Sequence, residues 1–516
     1  MKLRLLLALL VLPCLRAADA PPNLIFILAD DMGWGDPACY GGKIATPHID
    51  RIATEGMRFT DAHTTSAVCT PTRYSIVTGR YNWRSRMKKG VLNGTSPALI
   101  DADTPTIAGI LGEAGYTSSV IGKWHLGLGW HKLDKPRKAD SGPTKGGGWD
   151  LDYSKKVDNG PLARGFTHNF LFPASLDMPP YLYLRDDVPV GTPTLTKAFL
   201  VPNRPGAALA DFEASACLAD FARESRAFIG KCAEAKKPFF LYLPLTSPHT
   251  PIVPSEKWKG KSGLSDYADF MMETDWVVGE VLAELDARGV ADNTLIVFTS
   301  DNGCSPMADI PGLVKKGHDP CGPWRGHKAD IYEGGHRVPY VVRWPGQVKA
   351  GTTCDQTVST VDWFATAADA AGLGGKIPDN AGVDSFSLVP LLRDASLSEP
   401  VRPSAIHHSI NGSFAIRRGD WKLCLCPGSG GWSAPKPGAA LKDKSLYPVQ
   451  LFNLKDDPAE ETNLAEKKPE LVKELAAELA TAIRKGRTTP GPDQANDGWP
   501  GTTPKSVVEL LPVLKE

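Results

Sequence analysis

The chain has 516 residues, with 58 Lys and Arg set against 58 Asp and Glu and an apolar content of 42%. That is too long for one small domain and suits a large α/β domain followed by a smaller one. Balanced charge without a basic block argues against a nucleic-acid partner, and no stretch after the first residues is long and apolar enough for stable membrane insertion.

Residues 1–18 read as a signal peptide: Lys2 and Arg4, the apolar run Leu5 to Leu12, then Ala17-Ala18. Pro13 is a poor fit to the small residue that precedes a lipid-anchored cysteine, so plain cleavage of residues 1–18 is expected rather than anchoring at Cys14, and with it a secreted or periplasmic protein. Nine cysteines then remain, of which an oxidising compartment would pair eight. Cys69 is one candidate for the unpaired thiol, beside Cys39 and Cys217. Cys424 and Cys426, two apart on a strand, would face the same way and not bond each other.

From Asn23 the chain repeats one unit: buried strand, polar cluster, helix. Asn23 to Ala29 ends in Asp30-Asp31, and Thr117 to Gly122 ends in Lys123-Trp-His125. Pro238 to Leu243 leads to Ser247-Pro-His249, and Thr294 to Ser300 to Asp301-Asn302. Thr46-Pro47 and Thr104-Pro105 read as helix starts, with Gly56 and Gly115 as stops. Strands alternating with helices predict a large, mostly parallel central sheet flanked by helices over residues 19–398. Ligands of such sheets bind beyond the carboxyl ends of the strands, so the four clusters should converge. The segment from Trp130 to Pro205 reads as one long loop. Residues 399–516 read as a small antiparallel sheet, with strands near Ser413–Arg417 and Trp421–Cys424. A helix follows, Pro469 to Lys485, packed through Leu471, Leu475, Leu479 and Ile483.

Cys69-Thr-Pro-Thr-Arg73 places Cys69 before a helix expected to be capped by Thr70, begun by Pro71 and closed by Gly79. The helix amino end favours negative charge there, and Arg73 lies one turn along. Asp30, Asp31, Asp301 and Asn302 offer only oxygen, which suits a hard cation such as Ca²⁺ or Mg²⁺. Adjacent carboxylates at a strand end would repel one another without one. A lone histidine is usually structural, the reading given to His48, His63, His131 and His168.

The Cys-x-Pro-x-Arg segment, continued by Thr78-Gly79-Arg80, resembles the signature of the formylglycine-dependent sulfatases, which share a superfamily and an alkaline-phosphatase-like fold with metal-dependent phosphatases. Asp30-Asp-Met-Gly-Trp-Gly35, Gly122-Lys-Trp-His-Leu-Gly127, Ser300-Asp-Asn-Gly303 and the Lys328 to Gly335 block resemble further family motifs in family order, from about Asn23 to Leu451-Phe-Asn-Leu454. The resemblance implies a sulfuric ester hydrolase with Cys69 oxidised to formylglycine by a maturation enzyme. It also implies one Ca²⁺ held by Asp30, Asp31, Asp301, Asn302 and an oxygen of the modified Cys69. Arg73 would assist ionisation of the aldehyde hydrate. Lys123 and Lys328 would clamp the sulfate, His249 would protonate the leaving alkoxide, and His125 would remove a proton from the hydrate. A serine at position 69 could attack but would lack the second hydroxyl needed to expel sulfate.

A phosphate or phosphonate monoester hydrolase of the same superfamily is the rival reading, although no second ligand set for zinc is evident. An unmodified Cys69 would leave a sulfated-glycan binder. The substrate is expected to be a sulfated carbohydrate cleaved at the chain end. Asp177 and Arg185 would bind hydroxyls, Trp324 would stack on a ring, and His407 and His408 would close the pocket. Ser175-Leu-Asp-Met-Pro-Pro-Tyr181 resembles a stretch of bacterial sulfatases that degrade host glycans and algal polysaccharides, where galactose-type sugars are frequent targets.

Overall fold

The computed structural model describes residues 20–137, 147–199 and 204–496. The expected signal peptide, with Cys14, lies outside them. Five helices frame the site: α1 (Pro47–Thr54), α2 (Cys69–Thr78), α3 (Ile107–Glu113), α4 (Cys217–Glu234) and α5 (Asp266–Ala287). Strand Asn23–Asp30 is buried at every position, because both of its faces are covered. Leu24, Phe26 and Leu28 share a core with α2 and α3, while Ile25, Ile27 and Ala29 share one with α1, α4 and α5. This two-sided burial is why the run lacks polar alternation.

The large sheet has ten strands in the order Thr352–Cys354, Met57–Phe59, Tyr340–Arg343, Thr294–Ser300, Asn23–Asp30, Phe239–Pro248, Thr117–Lys123, His168–Phe172, Leu184–Arg185 and Val188–Pro189. From Thr294–Ser300 to His168–Phe172 all neighbours are parallel. Tyr340–Arg343 and the last two strands run antiparallel to their neighbours. Five carboxyl ends therefore open on one edge of the sheet, those that precede the four polar clusters among them. The segment expected as a loop from Trp130 is corrected here. It supplies three strands of this sheet, and they are short, two of them of two residues, so periodicity could not reveal them.

A separate four-stranded antiparallel sheet runs Ala405–His408, Phe414–Arg418, Trp421–Cys424, Gln450–Asn453. The helix Pro469–Lys485 covers it through Val472, Leu475, Leu479 and Ile483, with Leu471 only partly buried. Gly486 ends that helix in the left-handed region, at φ 66°.

The nine cysteines of the described residues are all free, against the expectation of four disulfides. Eight of them are buried and act as small apolar side chains. The caps also differ. Thr106, not Thr104, caps α3 by accepting from Gly109 N. The amino end of α1 is capped from another helix: Asp275 of α5 accepts from His48 N at 3.0 Å and Ile49 N at 2.8 Å, while Thr46 makes no cap bond.

Candidate active site

Cys69 is the first residue of α2, 2% exposed, preceded by Val68 in extended conformation. Thr70 does not cap the helix: its Oγ1 accepts from Leu92 N at 3.2 Å and ties a neighbouring loop to the site. Arg73, one turn on, donates from Nε to Asp301 Oδ2 at 2.9 Å and from Nη1 to the Lys123 carbonyl at 2.9 Å. It thus joins the ends of two strands beneath Cys69.

Consecutive carboxylates on an extended strand would point to opposite faces. Asp31 escapes this by turning into the left-handed region, φ 68°, which puts its carboxylate in the same cavity as that of Asp30. Each carboxylate has its own cation. Lys123 Nζ lies 2.7 Å from Asp30 Oδ2, Lys328 Nζ 2.7 Å from Asp31, and Arg73 Nη2 2.7 Å from Asp301 Oδ2. These six side chains are buried. The repulsion argument for a cation is therefore corrected, because the lysines and the arginine already relieve it.

Burial would raise the Asp30 carboxyl, but Lys123, then His249, Arg73 and Lys328, hold it well below the ordinary range. Burial, reinforced by the charge of Asp30, pushes Asp301 up to about 7. Burial likewise pushes up the Cys69 thiol, against Lys123 and Lys328, so an unmodified Cys69 is a thiol and a weak nucleophile. Both histidines are held neutral, chiefly by burial and secondarily by the lysines. His125 Nε2 meets the Leu92 carbonyl at 2.7 Å; a carbonyl only accepts, so Nε2 carries the hydrogen and Nδ1, buried and without a partner, keeps its lone pair. His249 Nδ1 faces the Thr250 carbonyl at 2.5 Å and Ser175 Oγ at 3.1 Å.

Ser175 escaped the sequence reading, although it opens the segment singled out there. Its hydroxyl also takes a hydrogen bond from Lys123 Nζ at 3.2 Å, linking that lysine to His249. Thr70 and the Leu92 carbonyl were also missed, since no sequence pattern marks a contact made by loop closure.

A bound cation fits the donor set on one observation. Asp30 Oδ1 and Asn302 Oδ1 are buried acceptors with no hydrogen bond among the described residues, Asp30 Oδ1 having the Arg73 guanidinium at 3.5 Å and Asn302 Nδ2 being spent on Asp31 Oδ1 at 2.7 Å. Donor atoms of Asp30, Cys69 and Asp301 lie within 4.8 Å of one another. Buried oxygens without donors are rare and costly unless an ion or water completes them. A second cluster, His63, His336 and His407, does not fit a metal. The His336 and His407 rings stack at 3.8 Å and 22°, whereas an ion lies in the plane of each ring that binds it. Arg417 and Lys422 already occupy nitrogens of His63 and His336.

The expected sugar contacts fare unequally. Asp177 lies two residues after Ser175, with Oδ1 buried and without a partner among the described residues. Arg185 is misplaced: it forms a two-pronged pair with Glu224 at 2.8 Å, in a cleft with Thr117 at the opposite end of strand Thr117–Lys123 from Lys123. Trp324 has the Arg337 guanidinium 3.7 Å from its ring centre and meets Trp34 edge-on, so stacking already engages it. His407 is sealed in the histidine stack, and His408 is buried with Nε2 on Asn82 Oδ1 at 2.7 Å. Neither can close a pocket.

The family model described as Sulfatase matches residues 22–373. The chain is 33% identical to an N-acetylgalactosamine-6-O-sulfatase of Bacteroides thetaiotaomicron, covering 90% of this chain and 93% of that one. It is 31% identical to human arylsulfatase A, covering 96% of each. Among solved structures, a Bacteroides thetaiotaomicron "6S-sulf" protein, from work on the metabolism of multiple glycosaminoglycans, superposes with a TM-score of 0.76 at 30% identity, over 89% of this chain and 99% of that one.

Proposed function

Since the chain belongs to the sulfatase family and is a sulfuric ester hydrolase, we propose that it removes sulfate from the end of a sulfated carbohydrate of the galactose or N-acetylgalactosamine type. In this reading Cys69 is matured to formylglycine by a dedicated enzyme, one Ca²⁺ is held by Asp30, Asp31, Asp301, Asn302 and residue 69, and the protein is exported after loss of residues 1–18. The catalytic unit spans 19–398 and the smaller unit 399–516, a division supported by the start of the small sheet at Ala405. What supports the proposal is the meeting, within 4.8 Å, of Cys69 in its Cys-x-Pro-x-Arg frame with carboxylate oxygens of Asp30 and Asp301.

The cation would offset charge on the ester oxygens. The hydrated aldehyde would supply one hydroxyl for attack and another whose ionisation restores the carbonyl. The remaining roles fall to side chains in place. Lys123 and Lys328 are fixed cations whose hydrogens can reach sulfate oxygens, and their value grows as charge builds on the leaving oxygen. His249, neutral here through burial and the charge of Lys328, would take up a proton as the anionic ester offsets that lysine, and would pass it to the leaving oxygen. His125, with its lone pair fixed on Nδ1 by Leu92, takes the proton of the second hydroxyl. Arg73 holds Asp301 and the Lys123 strand end in register. Asp177 is retained as the contact for a sugar hydroxyl, on its partnerless Oδ1.

Two measurements test this. The mass of the Cys69 peptide from native protein should show the thiol replaced by an aldehyde. A panel of sulfated galactose, N-acetylgalactosamine and N-acetylglucosamine, with an aryl sulfate and a phosphate monoester as controls, should show turnover on the first two. Turnover of the aryl ester alone would refute the carbohydrate assignment. Preference for the phosphate ester would overturn the assigned chemistry.

A further inference from the structure

The loop that carries Lys328 is held by the small sheet's connections. Lys328 N donates to the Cys304 carbonyl at 2.9 Å. Ala329 sits in the left-handed region at φ 81°, a conformation that costs a residue with a Cβ about 1 kcal/mol or more. Such strain persists only where the surroundings over-determine it. Both sides of Ala329 are pinned: its N–H donates to the Ala67 carbonyl at 2.8 Å, two residues before Cys69, and its carbonyl accepts from Ile410 N at 3.0 Å. Ile331 N donates to the Ser429 carbonyl at 2.7 Å.

Asp330 is the centre of this seam. It is fully buried, and its Oδ1 accepts from two consecutive amides of the small unit, Trp432 N at 2.8 Å and Ser433 N at 3.0 Å. Its Oδ2 accepts from His327 N at 3.1 Å, so one carboxylate closes its own loop and grips the facing turn. A Cβ on Gly431 would stand 2.4 Å from the Ala329 carbonyl oxygen and 2.5 Å from Asp330 Oδ1, so only glycine lets that turn approach so closely. Nothing in these contacts reaches the reacting atoms.

We propose that Asp330 is a positioning residue for Lys328, clamping the 429–433 turn of the small unit against the strained Ala329 so that the lysine ammonium stays in the sulfate cavity. The inference rests on the reading of Lys328 as a sulfate clamp. Without the clamp, Ala329 relaxes out of the left-handed region and the lysine head moves off Asp31.

The test is a double-mutant cycle on one sulfate ester, with kcat/KM and Tm measured for Asp330→Ala, Asp330→Asn, Lys328→Ala and the Asp330→Ala/Lys328→Ala pair. Misplacement of a clamp by an ångström predicts a loss of kcat/KM of about tenfold or more in Asp330→Ala. Asp330→Asn, which can still accept from both amides through one oxygen, should lose less. In the Lys328→Ala background Asp330→Ala should cost nothing further. Equal losses with and without the lysine would overturn the proposal, because a merely structural role is additive. A wild-type Asp330→Ala would overturn it too. If Lys328→Ala itself retains full activity, the clamp reading fails first and takes the proposal with it. Should Asp330→Ala not fold, Gly431→Ala replaces it in the cycle, with the same non-additive loss expected.

Discussion

Lys123 and Lys328 each donate to a carboxylate at 2.7 Å in a cavity where neither partner meets solvent appreciably. Replacing either by alanine strands a buried carboxylate, which typically costs about 3–5 kcal/mol. It also removes a fixed cation, worth about a hundredfold or more in turnover. Both variants should therefore lose activity and melt lower, and added calcium should recover part of the melting temperature but not the turnover. Unaltered kinetics in one of them would take that lysine out of the site. Cys69→Ala should fold and be inactive, since α2 begins at this residue without using its side chain as a cap. Cys69→Ser keeps a nucleophile but no second hydroxyl, so rapid-quench assays should show at most one alcohol released per enzyme. Steady turnover by the serine variant would sink the elimination step. At this scale the sequence was readable wherever a functional group ends a buried strand, as Asp30, Lys123, His249 and Asp301 do. His407, His408 and Arg185 were misread because residue type says nothing about which end of a sheet, or which side of a strand, a side chain occupies.

Between elements, the seam joining the two sheets is built of buried charge. Lys422 of strand Trp421–Cys424 lies 3.0 Å from Glu333 and 2.8 Å from Glu460. Glu333 also has Arg337 at 2.8 Å and is held well below the usual carboxylate range, burial being outweighed by Lys422, His63 and Arg337. Among the described residues Glu460 has only the shared lysine and one amide, from Glu333 N at 2.7 Å, and burial pushes it up to about 7. A carboxyl whose folded pKa exceeds its unfolded value stabilises most below the unfolded value. That contribution is lost as pH rises through the folded one. The melting temperature should therefore decline between about pH 5 and pH 7, and Glu460→Gln should flatten that decline. An identical slope in the variant would clear Glu460 of the effect. None of this was legible beforehand, because it depends on which strand of one sheet meets which turn of the other. The long central strands and the last helix were legible, since each is long enough for burial or four-residue spacing to show. The two-residue strands after Trp130 were not, and neither was a helix cap supplied by Asp275 from α5.

For the molecule as a whole, the placing of each site carboxylate beside a cation separates folding from metal loading. Chelation should abolish activity while leaving far-UV circular dichroism and the main melting transition nearly in place, and calcium should restore activity better than zinc because the proposed ligands are all oxygen. Collapse of the fold on chelation would mean that the ion is structural. Reactivation by zinc alone would favour the phosphatase-like alternative. The architecture as a large parallel sheet with a small antiparallel one could be read from strand–helix alternation and the change of style near residue 400. The free cysteines could not, since pairing depends on distances that spacing does not give.

The three carboxylate–cation pairs also impose an order of events. With Asp30, Asp31 and Asp301 offset by Lys123, Lys328 and Arg73, the cavity is formally neutral and offers an anion little net attraction. A divalent ion would make it doubly positive, so loading should run in sequence, cation before ester. Inorganic sulfate, the dianionic product, should then bind measurably only to the calcium-loaded protein and compete with substrate there. Calorimetric titration of sulfate with and without calcium would read that sequence directly.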